Sequence, residues 1–138
     1  MAANTQPIFV LTPNTGFARS TVANTASDGS GTLDTLFTAG INGSRVDLIN
    51  IRNSQVTAAL STALVARIFL TDTSGANPRL IEETAIAAAT RSTSVAGASA
   101  TITFPGGLLM ASGQLLKCCV SVFNAASQVD FVARGGNY

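Results

Sequence analysis

Apolar and polar residues alternate with a period close to two along much of this chain, in short runs broken by turn residues. The densest stretch lies between Gly43 and Glu83. In RVDLINIR (45–52), Val46, Leu48 and Asn50 fall on one side, and Asp47, Ile49 and Ile51 on the other. Both sides are partly apolar, which suits a strand in the middle of a sheet. Leu64, Ala66, Ile68 and Leu70 alternate with Val65, Arg67 and Phe69, predicting a strand over 63–71. The run from Asp72 to Pro78 holds Gly75 and Asn77 and reverses the chain, so that 79–86 pairs back. Further strands are predicted at 101–104, closed by Pro105-Gly106-Gly107, at 115–123 and at 129–134, with a short apolar piece at 108–110. Turns fall at 111–114 and 124–128, residues 53–62 and 90–100 read as loop, and Gly135 to Tyr138 forms a glycine-loose tail. Two segments also carry helical features. Apolar residues in 56–67 fall near helical spacing, and LIEETAIAAATR (80–91) is rich in good helix formers.

Upstream, NTQPIFVLTP (4–13) is an apolar run fenced by Pro7 and Pro13. Proline belongs at the edge or end of a strand, so this is an edge strand or an arm. Phe17, Val22, Leu33, Leu36 and Phe37 are the next apolar anchors, and 28–31 and 42–43 are turns. In all, about eight or nine short strands recur at roughly 8–12-residue spacing. The expected fold is all-β, an antiparallel two-sheet β-sandwich of jelly-roll type. An immunoglobulin-like sandwich is the alternative, though the chain lacks that fold's tryptophan and separated cysteine pair. Residues 1–13 form the arm or edge strand and 14–138 a single domain, as the length of 138 residues suggests.

Composition narrows the function. Charged residues make up only 11% of the chain, and serine and threonine replace them. That is well below the ~25% of an average soluble chain, and such a surface suits packing against neighbours. The 8 basic and 7 acidic residues are scattered singly, so nucleic-acid binding has no electrostatic footprint. No window reaches the roughly 18 apolar residues of a membrane span. MAANTQPIF lacks the positive segment and apolar core of a signal peptide, so synthesis and folding in a cytosol are expected.

Catalytic chemistry finds little support. There is no histidine, which removes triads that use it as base and the commonest zinc ligand. Cys118 and Cys119 are adjacent, and on a strand one thiol would face inward and the other outward. Glu82 and Glu83 would likewise face opposite ways. The loops at 28–32 and 72–77 offer one carboxylate each, too few for a strong calcium site. The glycine-rich 28–31 lacks the lysine of a phosphate loop. The expectation is a non-enzymatic protein with no cofactor, metal or small-molecule substrate. Candidate contact residues for another subunit are Ile8, Phe9, Val10, Leu11 and Tyr138, because apolar groups near a terminus need something to dock on. Arg67, inside an apolar strand, either lies on the solvent face or bridges to another subunit.

Pro7-Ile8-Phe9, Thr12-Pro13, Ala23-Asn24-Thr25, Asp28-Gly29-Ser30-Gly31-Thr32 and Ala39-Gly40 precede Asn42-Gly43-Ser44-Arg45-Val46-Asp47. Together they resemble small virion proteins of tailed bacteriophages and prophages, of the capsid decoration (cement) type. The closing Gly135-Gly136-Asn137-Tyr138 is similar to their usual end. The resemblance covers roughly the first third of the chain and its last few residues, and these are mostly turn formers. It implies a β-sandwich placed on a virus particle, in the head shell or in the tail. On the head, it implies a homotrimer that binds the major capsid protein on the outer surface, after synthesis in the bacterial host cytoplasm. Such a protein stabilises the shell by bridging capsid subunits through many weak contacts. In the tail, it implies a tail- or fibre-associated module that touches the host surface.

Overall fold

The computed structural model describes residues 9–54, 62–123 and 128–138. Its strands are β1 (Thr12–Ser20), β2 (Asp34–Thr38), β3 (Ser44–Asn53), β4 (Leu64–Leu70), β5 (Arg79–Ile86), β6 (Ser99–Met110), β7 (Leu115–Val120) and β8 (Val129–Asn137). They form two four-stranded sheets, sheet A in the order β1-β8-β3-β6 and sheet B in the order β2-β7-β4-β5. The pairing is nested and antiparallel throughout: β1 with β8, β2 with β7, β3 with β6 and β4 with β5. One long hairpin, closed at β4–β5, is thus rolled up and sealed by the lateral pairs β3–β8 and β4–β7. This is a jelly roll. Consecutive strands are hydrogen-bonded neighbours only at β4–β5. An immunoglobulin-like sandwich would place several consecutive strands side by side, so the topology rules it out.

The core lies between the sheets. Phe37, Ile49, Ile51, Ile68, Leu116 and Phe131 are its largest members and are almost completely buried. Strict alternation in β3 would put Val46 on the face opposite Ile49 and Ile51, yet all three are buried. The cause is a β-bulge. Val46 and Leu48 pair with the consecutive residues Gly135 and Arg134, so Asp47 is an extra residue that resets the phase.

Several boundaries differ from the sequence reading, each for a structural reason. The edge strand of sheet A is Thr12–Ser20 rather than 4–13, so Thr12 and Pro13 belong to the sandwich. Phe17 and Val22 are exposed rather than core anchors. β6 runs on through Pro105-Gly106-Gly107 instead of stopping there. The three residues bulge out between the Val46 and Leu48 pairings, which an edge strand tolerates. β7 ends at Val120, and β8 continues through the presumed glycine tail to Asn137. Gly135 is required there, because a Cβ would land on the carbonyl of Arg45 in β3. The helical features of 80–91 yield to pairing with β4 as far as Ile86. In 56–67 the strand β4 begins at Leu64, and residues 55–61 lie outside the described residues. Part of the turn at 124–128 also lies outside them.

The two thiols face opposite sides of the strand, as expected, but the outer one is buried as well. Cys118 faces the core. Cys119 lies on the other face of sheet B, directly across from Arg67. The segment linking β1 to β2 folds back over this place. Ala23 bridges to Val120, and the Asn24 amide donates to the Val120 carbonyl at 2.8 Å. Burial pushes both thiols above their ordinary pKa, Cys118 well above it.

Candidate functional site

Register alone builds the outer face of sheet A. Cross-strand partners share a face, so successive outward rungs read Thr15–Arg134–Leu48–Thr103, Phe17–Val132–Asn50–Thr101 and Arg19–Asp130–Arg52–Ser99. The result is a four-strand platform of arginines, hydroxyls and one phenylalanine. Phe17 is 70% exposed at the centre of the edge strand. Thr101 donates to Asn50 Oδ1 at 3.1 Å. Arg19 donates to both carboxylate oxygens of Asp130, at 2.6 and 3.2 Å. This pairing holds the Asp130 carboxyl below its ordinary pKa.

The near-neutral net charge of +1 conceals a division between the two sides. Arg19, Arg45, Arg52, Arg91 and Arg134 all lie on sheet A or on the loop beside it, with Asp47 and Asp130 as the acidic residues there. Asp34, Glu82 and Glu83 are on sheet B, and Asp72 lies in its β4–β5 loop. Asp28 sits beside that loop too, since its neighbour Gly29 abuts the Pro78 carbonyl. Arg67, Arg79 and Lys117 are also on sheet B, so the sheet A side is net basic by three charges and the sheet B side net acidic by two.

On the basic face a cavity of about 430 Å³ opens between the end of the platform and the β5–β6 loop. Asn50, Arg52, Val132 and Arg134 line it from the sheet, and Arg91 and Gly97 from the loop. A second hollow, lined by Phe17 and Arg19, shares Asp130 and Val132 with the first.

The expected contact residues have separate fates. Ile8 lies outside the described residues. Phe9 and Leu11 are 73% and 80% exposed. Val10 lies over Gly136, where a Cβ would strike it, so the arm runs along sheet A at the end of β8. The Leu11 amide donates to the Asn137 carbonyl at 2.9 Å. Tyr138 is half-buried, and its amide donates to Gly43 O at 3.2 Å. This brings the arm and Tyr138 beside the β2–β3 turn, where Ile41 is 89% exposed, and close to Leu109 at the end of β6, also exposed. The sequence did not single out Ile41 or Leu109. Ile41 lies in a turn, and Leu109 keeps the outward phase of Thr101 and Thr103 but sits in an all-apolar run that shows no alternation.

Arg67 points away from this end. Its side chain is 13% exposed on the outer face of sheet B. It reaches Glu83 at 3.4 Å and the carbonyls of Asn24 and Thr25 at 3.3 and 3.5 Å. These contacts within the chain pin the β1–β2 segment to the sheet.

The carboxylates elsewhere serve local structure. Asp72 accepts from the Ser74 and Ala76 amides, the Ser74 hydroxyl and the Asn77 carboxamide, all at 2.6–2.9 Å. These bonds lower its pKa to about 2. Asp28 caps Ser30 in the same way. Among the described residues, no three His, Cys, Asp or Glu side chains are grouped to hold a metal ion. Comparison with known proteins finds no matching protein family, no matching curated protein and no matching solved structure.

Proposed function

We propose that this chain is a structural virion protein of a tailed bacteriophage, a capsid decoration protein that attaches to the outer surface of the head and bridges capsid subunits. On this reading it is not an enzyme and acts as a homotrimer whose partner is the major capsid protein. The observation that carries the reading is that Phe9, Leu11, Ile41 and Leu109 are exposed apolar residues on segments that come together at the Tyr138 end of sheet A. Clustered apolar residues exposed on one end of a small domain mark a contact surface rather than a solvent face. The jelly roll is compatible with this, since viral capsid domains use it, but lectins use it too, and fold alone assigns no role. The virion motifs of the first third supply the rest of the argument. A rigid β-sandwich with a sticky end can act as a mechanical clamp, because symmetric copies multiply weak contacts by avidity.

Light scattering on a sizing column, followed by co-sedimentation with phage heads, tests this. The expected result is a mass of three chains, falling to one in an L11S/I41S double variant that keeps its thermal midpoint but no longer sediments with heads. A monomer that sediments with no head, and is unaltered by the substitutions, would overturn the proposal.

A further inference from the structure

The cavity on the outer face of sheet A has a chemistry that a purely mechanical role leaves unused. Asp130 lies between Arg19 and Arg52 on its rung. Arg19 takes it in a two-pronged pair from the edge strand. Arg52 and Arg134 are left without an ion pair among the described residues. Both line the same cavity, on the rungs to either side of the middle one, with Asn50 and Val132 as the floor between them. Asp130 and Arg134 are four residues apart on one strand, so roughly 13 Å separates the two ends. Arg91 and Gly97 close the side toward the loop, and Ser54 adds a hydroxyl.

Such a lining selects its ligand. Two guanidiniums without a carboxylate call for a carboxylate or phosphate, which they can grip in a forked, charge-assisted geometry. The carboxamide of Asn50, the Ser54 hydroxyl and Asp130 offer both donors and acceptors, which a bare anion would not need and a polyol would. The volume of about 430 Å³ is at the small end of the ~300–1,000 Å³ of small-molecule sites. An extended acidic protein surface would match a flat face better than this recess. Phe17 stands on the middle rung as the direct neighbour of Val132, presenting an exposed ring beside the polar groups. An aromatic face next to hydrogen-bonding groups is how proteins grip the apolar side of a sugar ring.

We propose that this cavity binds an acidic saccharide, its anionic group held by Arg52 and Arg134, its hydroxyls by Asn50, Ser54 and Asp130, and its ring flanked by Phe17. The site lies toward the opposite end of sheet A from the apolar end and does not depend on the role proposed above.

The test is amide shift mapping by NMR on the whole chain. The probes are glucuronic acid and glucose 6-phosphate, with glucose, sodium phosphate and a tetraglutamate peptide as controls. The expected result is a saturable shift at Asn50, Arg52, Gly97, Val132 and Arg134 with both acidic sugars, weaker with glucose and weakened by added salt. Arg52→Gln and Arg134→Gln should each lower affinity roughly tenfold. Both residues are exposed, so the variants keep their fold. Phe17→Ala should weaken the sugars and leave phosphate unaffected. Three outcomes overturn the proposal: an equal response to phosphate alone, which means an adventitious ion only; a response to the peptide and not the sugars, which means an acidic protein partner; and no response at these residues to either acidic sugar.

Discussion

The hydroxyl of Ser44, at the start of β3, donates to Asn137 Oδ1, at the end of β8, over 2.7 Å. The same oxygen accepts from Asn14 Nδ2 of β1 at 3.1 Å, and the Gly40 amide donates to Ser44 Oγ at 2.8 Å. A short polar relay thus ties the β2–β3 turn to three strands of sheet A. Ser44 is completely buried, so Asn137→Ala leaves its hydroxyl without an acceptor. The expected cost is about 1–3 kcal/mol. Ser44→Ala removes the donor and orphans the Gly40 amide. Because the two residues share one relay, the double variant should be less destabilised than the sum of the singles. Urea unfolding of the four proteins measures this coupling; strict additivity would mean that the relay carries no energy.

A second prediction concerns the closest approach of the two sheets. Gly16 in β1 and Leu36 in β2 belong to different sheets, yet a Cβ on Gly16 would land on the Leu36 carbonyl and stand 3.0 Å from the Phe37 Cα. Backbone cannot swing aside as a side chain can. Gly16→Ala should therefore destabilise by about 3 kcal/mol. Gly106 is the useful contrast. Its φ of +80° is unfavourable for alanine, but a Cβ there meets nothing. Gly106→Ala should cost only about 1–2 kcal/mol. Equal losses in the two variants, by thermal melting, would contradict the crowding at Gly16.

Acid sensitivity follows from the Asp72 loop. Its carboxyl has a folded-state pKa of about 2 against an ordinary 3.8. The ionised form is the one bonded in the fold, so its contribution is complete well above 3.8 and fades as pH falls toward 2. Asp28 and Asp130 are shifted in the same direction and act in the same sense. The wild-type chain should melt above Asp72→Ala at pH 6, and the gap should narrow steadily below pH 4 and close only below the folded-state value of about 2. A gap as wide at pH 2 as at pH 6 would show that the charge of Asp72 is not what holds its loop.

The two thiols should resist labelling in the folded chain, for different reasons. Cys118 is enclosed between sheets, so it should become reactive only with global unfolding. Cys119 is covered by the β1–β2 segment and the Arg67 side chain, which can lift without the sheets parting. With a disulfide reagent and mass mapping, Cys119 should label first, and Arg67→Ala should speed its labelling and leave Cys118 unchanged. Prompt reaction of both thiols in the native chain would contradict this arrangement.

Much of the architecture is legible where local chemistry decides it. The turn around Gly75 and Asn77 and the alternation on either side of it locate β4 and β5 almost to the residue, because a hairpin and its loop are specified by their own local sequence. What escapes a linear reading is decided by distant neighbours. Asp47 looks like an ordinary outward position until β8 is laid beside it and the bulge becomes necessary. Gly135 and Gly136 look like a loose end, and they are strand residues because Arg45 and Val10 need the space. Phe17 looks like a core residue by type, and register turns it outward. The arginine-lined cavity could not be found in the sequence at all. Its parts come from β3, β8 and the β5–β6 loop, and single arginines spaced tens of residues apart carry no pattern.

The nesting of the strands also sets an order of events at the ribosome. β7 lies between β2 and β4, and β8 between β1 and β3, so the two strands made last are inserted into the interiors of both sheets. Until they emerge, β1, β2, β3 and β4 each show an open edge to whatever nascent or finished chain is near. Pairing Thr12 with Asn137 closes nearly the whole described length, which places this chain among slow, non-locally organised folders. A message cut short before Val129 would yield a product with two of its strands exposed on facing edges, primed to associate with other copies rather than to fold alone.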